Sequence, residues 1–201
     1  MIESYKRLVI DTATRYIYLS LLVDDDEVET IYQIGDNNHS VTLMPMLEAI
    51  LIKHNVRLKD INEVIVGIGP GSYTGVRIGV TVAKMIAYLN HIDLYTVSSL
   101  ALLASSSNHR QVLPLIDARR GNAFMALYIN DHSLTHLKED CLMNQALFKE
   151  AIEGDYELVT EGRPNISKIL NSTLVAKVTN PHELIPNYLQ ITEAERNLNN
   201  D

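Results

Sequence analysis

Two aspartates, a glycine-rich loop and one arginine are the residues of this chain whose types and spacing could do chemistry. Asp11 ends the apolar run Leu8-Val-Ile10, and Asp117 ends the similar run Pro114-Leu-Ile116. A carboxylate at the tip of a strand can face a magnesium-bound phosphate, or it can accept hydrogen bonds from its own turn. Thr12-Ala13-Thr14 lacks the glycines that let a phosphate approach the first turn, which favours the turn-capping role for both aspartates. Between them lies Gly69-Pro-Gly-Ser-Tyr-Thr-Gly-Val-Arg-Ile-Gly79, where backbone N–H groups near Ser72, Tyr73 and Thr74 could face an anion at a helix start. Arg77 opposes the helix dipole there, so it is expected to answer a carboxylate or phosphate. The spacing is neither a P-loop, because Val76-Arg77 follows Gly75, nor a dinucleotide fingerprint, because Thr74 stands where the third glycine belongs. An ordinary strand-loop-helix unit with tight packing fits the same residues.

Other reactive groups are scattered. His132 and His136 have i, i+4 spacing but fall in a predicted turn and strand, where that spacing does not bring side chains together. No serine, histidine and aspartate can be grouped without choosing partners arbitrarily. Cys141 stands alone, which excludes a disulfide framework and a cysteine zinc site and points to a structural role in a reducing cytoplasm. The net charge of −8 makes the surface as a whole repel nucleic acid. No apolar run is long enough to span a bilayer, and residues 1–6 lack the layout of a signal peptide.

The elements that must position these groups follow from apolar periodicity. Residues 8–10, 16–23 and 28–34 read as three antiparallel strands, with Asp11 at the tip of the first hairpin arm. Ser40 can cap a helix that buries Leu43, Leu47, Ile50, Leu51 and His54, with Pro45 bending it or marking its first turn. A buried strand at 64–68 leads through the glycine loop into a helix at 76–89, for which Ser72 and Thr74 are candidate caps. On that helix Gly75, Gly79, Ala83 and Ala87 recur every fourth residue, drawing a ridge of small side chains suited to close helix packing. A strand at 94–97 completes a first lobe over residues 1–107, and a smaller second lobe with a polar tail covers 108–201. The second lobe opens as the first does. At an offset of 106, Asp11 meets Asp117, Tyr18 meets Phe124 and Leu19 meets Met125, which indicates an internal duplication. Strands at 133–142, 158–160 and 174–178 and a helix at 144–152 are expected beyond it.

The duplicated layout resembles the actin-like ATPase superfamily: an α/β, two-lobed, ribonuclease H-like fold in which each lobe opens with an antiparallel hairpin. More narrowly, Ile10-Asp-Thr12, His39-Ser40, the Gly-Pro-Gly motif, Val97-Ser-Ser-Leu100, Ile116-Asp-Ala-Arg119 and Pro186-Asn-Tyr-Leu189 resemble the TsaB family, also called YeaZ. Gln190 departs from the arginine usual after Tyr-Leu.

The resemblance implies a non-catalytic subunit of the complex that makes threonylcarbamoyladenosine beside the anticodon of tRNAs reading codons that begin with A. It implies pairing with a catalytic paralogue, TsaD, joined by the ATPase TsaE, with tRNA reached only through the complex and a homodimer possible for the chain alone. The paralogue's metal-binding His-x-x-x-His falls here on Ser99 and Leu103, so no catalytic residue and no metal ligand is expected. The family's contact uses helices of the first lobe, which makes Gly75, Val76, Gly79, Val80, Ala83 and Ala87 a candidate interface, with Met85 beside it; packing within the chain against the 41–53 helix competes for that face. No cofactor of its own is expected, though ADP or ATP could sit near Asp11, Ser72, Tyr73, Thr74 and Arg77 in a site completed by the partner. An independent ATPase or kinase of the same fold, or a peptidase, are the alternatives.

Overall fold

The computed structural model describes residues 4–35 and 38–189. The expectations for the tail from Thr192 and for Gln190 lie outside the described residues. Strands β1 (Lys6–Asp11), β2 (Tyr16–Val23) and β3 (Asp26–Ile34) form the expected antiparallel meander, with the apolar runs of β1 and β2 buried on both faces. Helix α1 (His39–Lys53) follows, with Pro45 inside it and Asn38 rather than Ser40 at the N-cap. Then come β4 (Glu63–Gly67), α2 (Tyr73–Asn90), β5 (Asp93–Val97) and the short α3 (Ser99–Ala104). The second half contributes β6 (Gln111–Asp117), β7 (Asn122–Asn130), β8 (Leu134–Asn144), α4 (Gln145–Glu150), β9 (Glu157–Val159), α5 (Ile166–Leu170) and β10 (Ala176–Lys177).

Two sheets carry the internal duplication. The first has the order β10-β5-β4-β1-β2-β3 and the second β8-β7-β6-β9. In each, a meander of three strands is extended by a parallel strand beside its first member: β4 beside β1, and β9 beside β6. The 106-residue offset holds for the first strands but slips on the return. Asp11 pairs with Tyr18, whereas Asp117 pairs with Ala123, because the second turn is one residue shorter. Tyr18 therefore corresponds to Ala123 and Leu19 to Phe124. Side chains alternate across a strand, so a one-residue slip changes which of them face the core.

The lobe boundary is also crossed. β10 is not part of the second sheet but pairs with β5 at the edge of the first, Ala176 opposite Thr96. Residues 176–189 thus return to the first lobe, and the expected division at 107 does not hold for them.

Three apolar clusters fill the interior. One lies between the first sheet and α1 and α2, built from Leu8, Ile10, Leu19, Leu43, Val80 and Ala83. The second joins the two halves around α3 and includes Val9, Tyr18, Ile65, Leu100, Phe124 and Tyr128. A smaller one, with Leu113, Met125 and Phe148, lies on the far face of the second sheet. The middle cluster draws on both sheets, so the halves share a core.

Candidate functional site: the cleft between the lobes

Helix α2 and the loop before it are set by very close contacts with the first hairpin. Ser72 caps the helix, its hydroxyl accepting from the Gly75 N–H at 3.2 Å. The Thr12 hydroxyl donates to the Gly75 carbonyl (2.6 Å) and accepts from the Gly79 N–H (3.1 Å). It thereby occupies one rung of the helix's own hydrogen-bond ladder. No side chain fits there: a Cβ on Gly75 would run into the Thr12 carbonyl, and one on Gly79 would lie 2.5 Å from the Thr12 hydroxyl.

The small-residue ridge is consumed by this packing. Gly75, Val76, Gly79, Val80, Ala83 and Ala87 are all buried within the chain. Gly75 and Gly79 lie against Thr12 and the end of β1, while Val76, Val80, Ala83 and Ala87 share a core cluster with Leu43, Leu47 and Ile50 of the 41–53 helix. The face is taken up within the chain, so as a surface for another chain these six residues are in the wrong place. The outer face of α2 carries Tyr73, Thr74, Arg77, Met85, Tyr88 and Leu89 instead, all exposed. On neighbouring α1, Val41, Met44 and Ile52 are exposed as well. Met85 is the one residue of the expected contact that faces outward.

Asp11 sits at the floor of a cleft between the lobes, 6% exposed. Its Oδ1 accepts from the Ser99 hydroxyl (2.8 Å) and from the Ala13 N–H (3.2 Å). Ser99, buried at the start of α3, also accepts from the Gly69 N–H at 3.0 Å, and its own N–H donates to the Gly69 carbonyl at 2.9 Å. Gly67 lies directly behind the carboxylate, where a Cβ would collide with it. Burial pushes the Asp11 carboxyl up to about 6, with the Ser99 and Ala13 hydrogen bonds holding it from rising further. The remaining lining includes Thr14, Tyr16, Tyr18, Tyr32 and Leu103. Tyr18 Oη is buried with no hydrogen-bond partner among the described residues.

The far wall is the segment 160–164, and it bridges the cleft. Glu161 takes an ion pair from Arg15 and a hydrogen bond from the Tyr16 hydroxyl at 3.0 Å. The Gly162 N–H donates to the Tyr32 hydroxyl (3.0 Å), and Arg163 pairs with Glu27. A phosphate entering here would meet the Asp11 carboxyl and Glu161.

The other candidates are not brought together. Ser72, Tyr73, Thr74 and Arg77 lie outside this cleft, and Arg77 stacks over the Tyr73 ring at 4.6 Å, with no acidic partner among the described residues. Asp117 is exposed and accepts from the Arg119 N–H at 3.0 Å, so both aspartates cap their own turns. His136 bonds Asp140 (3.4 Å), while His132 is fully exposed beside Asp131. Among the described residues no three His, Cys, Asp or Glu side chains gather as a metal site. Two partners of the site were not legible in sequence. Glu161 lies 146 residues from Arg15, and Asn187 reaches the glycine loop from the far end of the chain.

Comparison with known proteins fits this geometry. Residues 33–195 match the family model described as tRNA N6-adenosine threonylcarbamoyltransferase. A TsaB protein of Buchnera aphidicola subsp. Baizongia pistaciae is 30% identical, covering 87% of this chain and 84% of its own length. The chain belongs to the TsaB (YeaZ) family. The TsaB protein of Bacillus subtilis is 29% identical over 94% of this chain and 95% of its own. The solved structure of YeaZ from Pseudomonas aeruginosa superposes with a TM-score of 0.77 at 20% identity, covering 92% of this chain and all of its own, which supports the shared fold. In this chain the glycines of the Gly-Pro-Gly motif serve close packing, Gly71 on Ala13 and Gly75 and Gly79 on Thr12, and Ser99 and Leu103 line the cleft.

Proposed function

We propose that this chain is a non-catalytic subunit of the machinery that transfers threonylcarbamoyl from threonylcarbamoyl-AMP to the adenosine beside the anticodon of tRNAs reading codons that begin with A. The relatives carry the name tRNA threonylcarbamoyladenosine biosynthesis protein. One observation carries the non-catalytic part: the cleft of this two-lobed fold is engaged by the chain itself. Asp11 is held by Ser99 and Ala13, the apolar Leu103 lines the same wall, and Glu161 ties the far wall to Arg15 and Tyr16. A bare triphosphate would be repelled by the carboxylates there, and a magnesium-bound one would have to displace the contacts that Asp11 and Glu161 already make.

The catalytic step then belongs to a TsaD-type paralogue, with a TsaE-type ATPase as a further member. The exposed apolar residues of α1 and α2 suit a partner's helices, because Ile52, Met85 and Leu89 are 72%, 56% and 68% exposed. The same face would serve a homodimer of the lone chain. ADP or ATP would sit at the junction with the paralogue, and the acidic chain would leave tRNA contacts to its partners.

Reconstitution tests the reading. Transfer to tRNA by the paralogue and ATPase is expected to need this chain, while the chain alone transfers nothing and hydrolyses no ATP. Met85→Glu with Ile52→Glu is expected to abolish co-elution with the paralogue and leave the melting temperature within about 2 °C. Unimpaired transfer without the chain would overturn the proposal.

A further inference from the structure

The last described stretch runs back along α2 and ends on the glycine loop. After β10, the Val178 N–H donates to the Leu94 carbonyl at 2.8 Å, and Val178 and Leu184 join the core cluster under α2. Lys84 of α2 then holds the strap by its carbonyls. Its Nζ donates to His182 O (3.1 Å) and to Leu184 O (2.8 Å), at and just after the single helical turn Pro181–Glu183. The His182 ring meets Tyr88 edge-on, centroids 4.4 Å apart. Farther on, the Asn187 N–H donates to Ile68 O at 2.7 Å, and Tyr188 lies 4.8 Å from Tyr73. The Asn187 carbonyl is so near Gly69 that a Cβ there would stand 2.6 Å from it.

Ile68 and Gly69 are gripped on their other side by the interlobe joint. The Ile68 N–H donates to Val97 O at 3.0 Å, and Gly69 exchanges two hydrogen bonds with Ser99, whose hydroxyl holds Asp11. Two residues thus carry the strap on one side and the Asp11–Ser99 joint on the other.

We infer that residues 180–189 form a latch that couples the outer flank of α2 to the joint between the lobes. While Lys84 and Tyr88 hold the strap, Asn187 presses Ile68-Gly69 against Ser99; when they release it, the loop and the Ser99 hydroxyl loosen together. The claim concerns this chain alone and stands whether or not it is catalytic.

Hydrogen exchange on the full chain tests it, comparing the natural protein with Lys84→Met and with Lys84→Met/Tyr88→Ala. Release of the latch is expected to speed exchange about tenfold at Asn187 and, with it, at Gly69 and Ser99, leaving the β7 amides unchanged. Faster exchange at Asn187 with Gly69 and Ser99 unmoved would overturn the coupling. An Asn187 amide that stays protected in the double variant would overturn the role of Lys84 and Tyr88. Uniform acceleration that includes β7 would mean general destabilisation, and the coupling would then fail against Arg163→Gln, which lies off the strap and would have to give the same pattern.

Discussion

Asp11 is a carboxylate kept where it lowers stability. Its carboxyl is raised to about 6 in the folded chain, against about 4 when unfolded, so the native state binds the proton more tightly. The sign follows: stability falls as pH rises from about 4 to about 6 and is level above that, a loss of roughly 3 kcal/mol from this group. Asp11→Asn is therefore expected to raise the denaturation midpoint at pH 8 and to change it little at pH 4. Ser99→Ala removes the hydroxyl donor at the carboxylate. At pH 8 it should lower stability by about 1–3 kcal/mol. It should also move the pH-dependent fall to higher pH, which denaturant titrations across the range would show.

For α2, the decisive quantity is distance between backbones. The four-residue recurrence of Gly75, Gly79, Ala83 and Ala87 correctly announces close packing, but a ridge of small residues looks the same whether the neighbour is a strand or another chain. The hydroxyl of Thr12 reaching into the ladder decides between them, and it lies 63 residues from Gly75. Gly75→Ala is accordingly expected to destabilise the fold by about 2 kcal/mol or more, read as a melting temperature lower by several degrees. The contrast is Met85→Glu on the outer face, which should leave that temperature nearly unchanged. Most strands and the helices α1, α2 and α4 were legible because apolar runs and cap residues are local signals, whereas α3 and α5, of six and five residues, are too short to show a helical period. The partner of β10 was not, because a two-residue strand carries no periodicity, and the turn one residue shorter before Ala123 was hidden by similar apolar residues on both registers.

At the scale of the whole molecule, the halves are joined by polar bridges as well as by shared core. Asp140 of β8 accepts from Ser98 at the cap of α3 (2.5 Å) and from Tyr128 (3.1 Å), with His136 at 3.4 Å. The hydrogen bond to Asp140 raises the His136 imidazole above its ordinary value, against some loss to burial, with Glu139 adding to the rise. A raised histidine contributes stability that is whole below about pH 6.5 and fades as pH climbs through its folded value. His136→Gln should therefore flatten the stability profile above pH 6.5, a change that thermal scans at pH 6 and pH 8 would register. The resemblance of motifs made the family and the two-lobed fold legible. The closed cleft was not, since Glu161 and Arg163 come from a segment whose sequence carries no motif.

The return of β10 to the first sheet has a consequence for how the chain must be born. A ribosome delivers β5 long before residue 176, so during synthesis that strand waits with an unpaired flank while the entire second half is made. Release of a product truncated before that point would leave the flank bare. Such products are expected to clump or be degraded, and the chain to become protease-resistant only once Ala176–Lys177 can pair with β5.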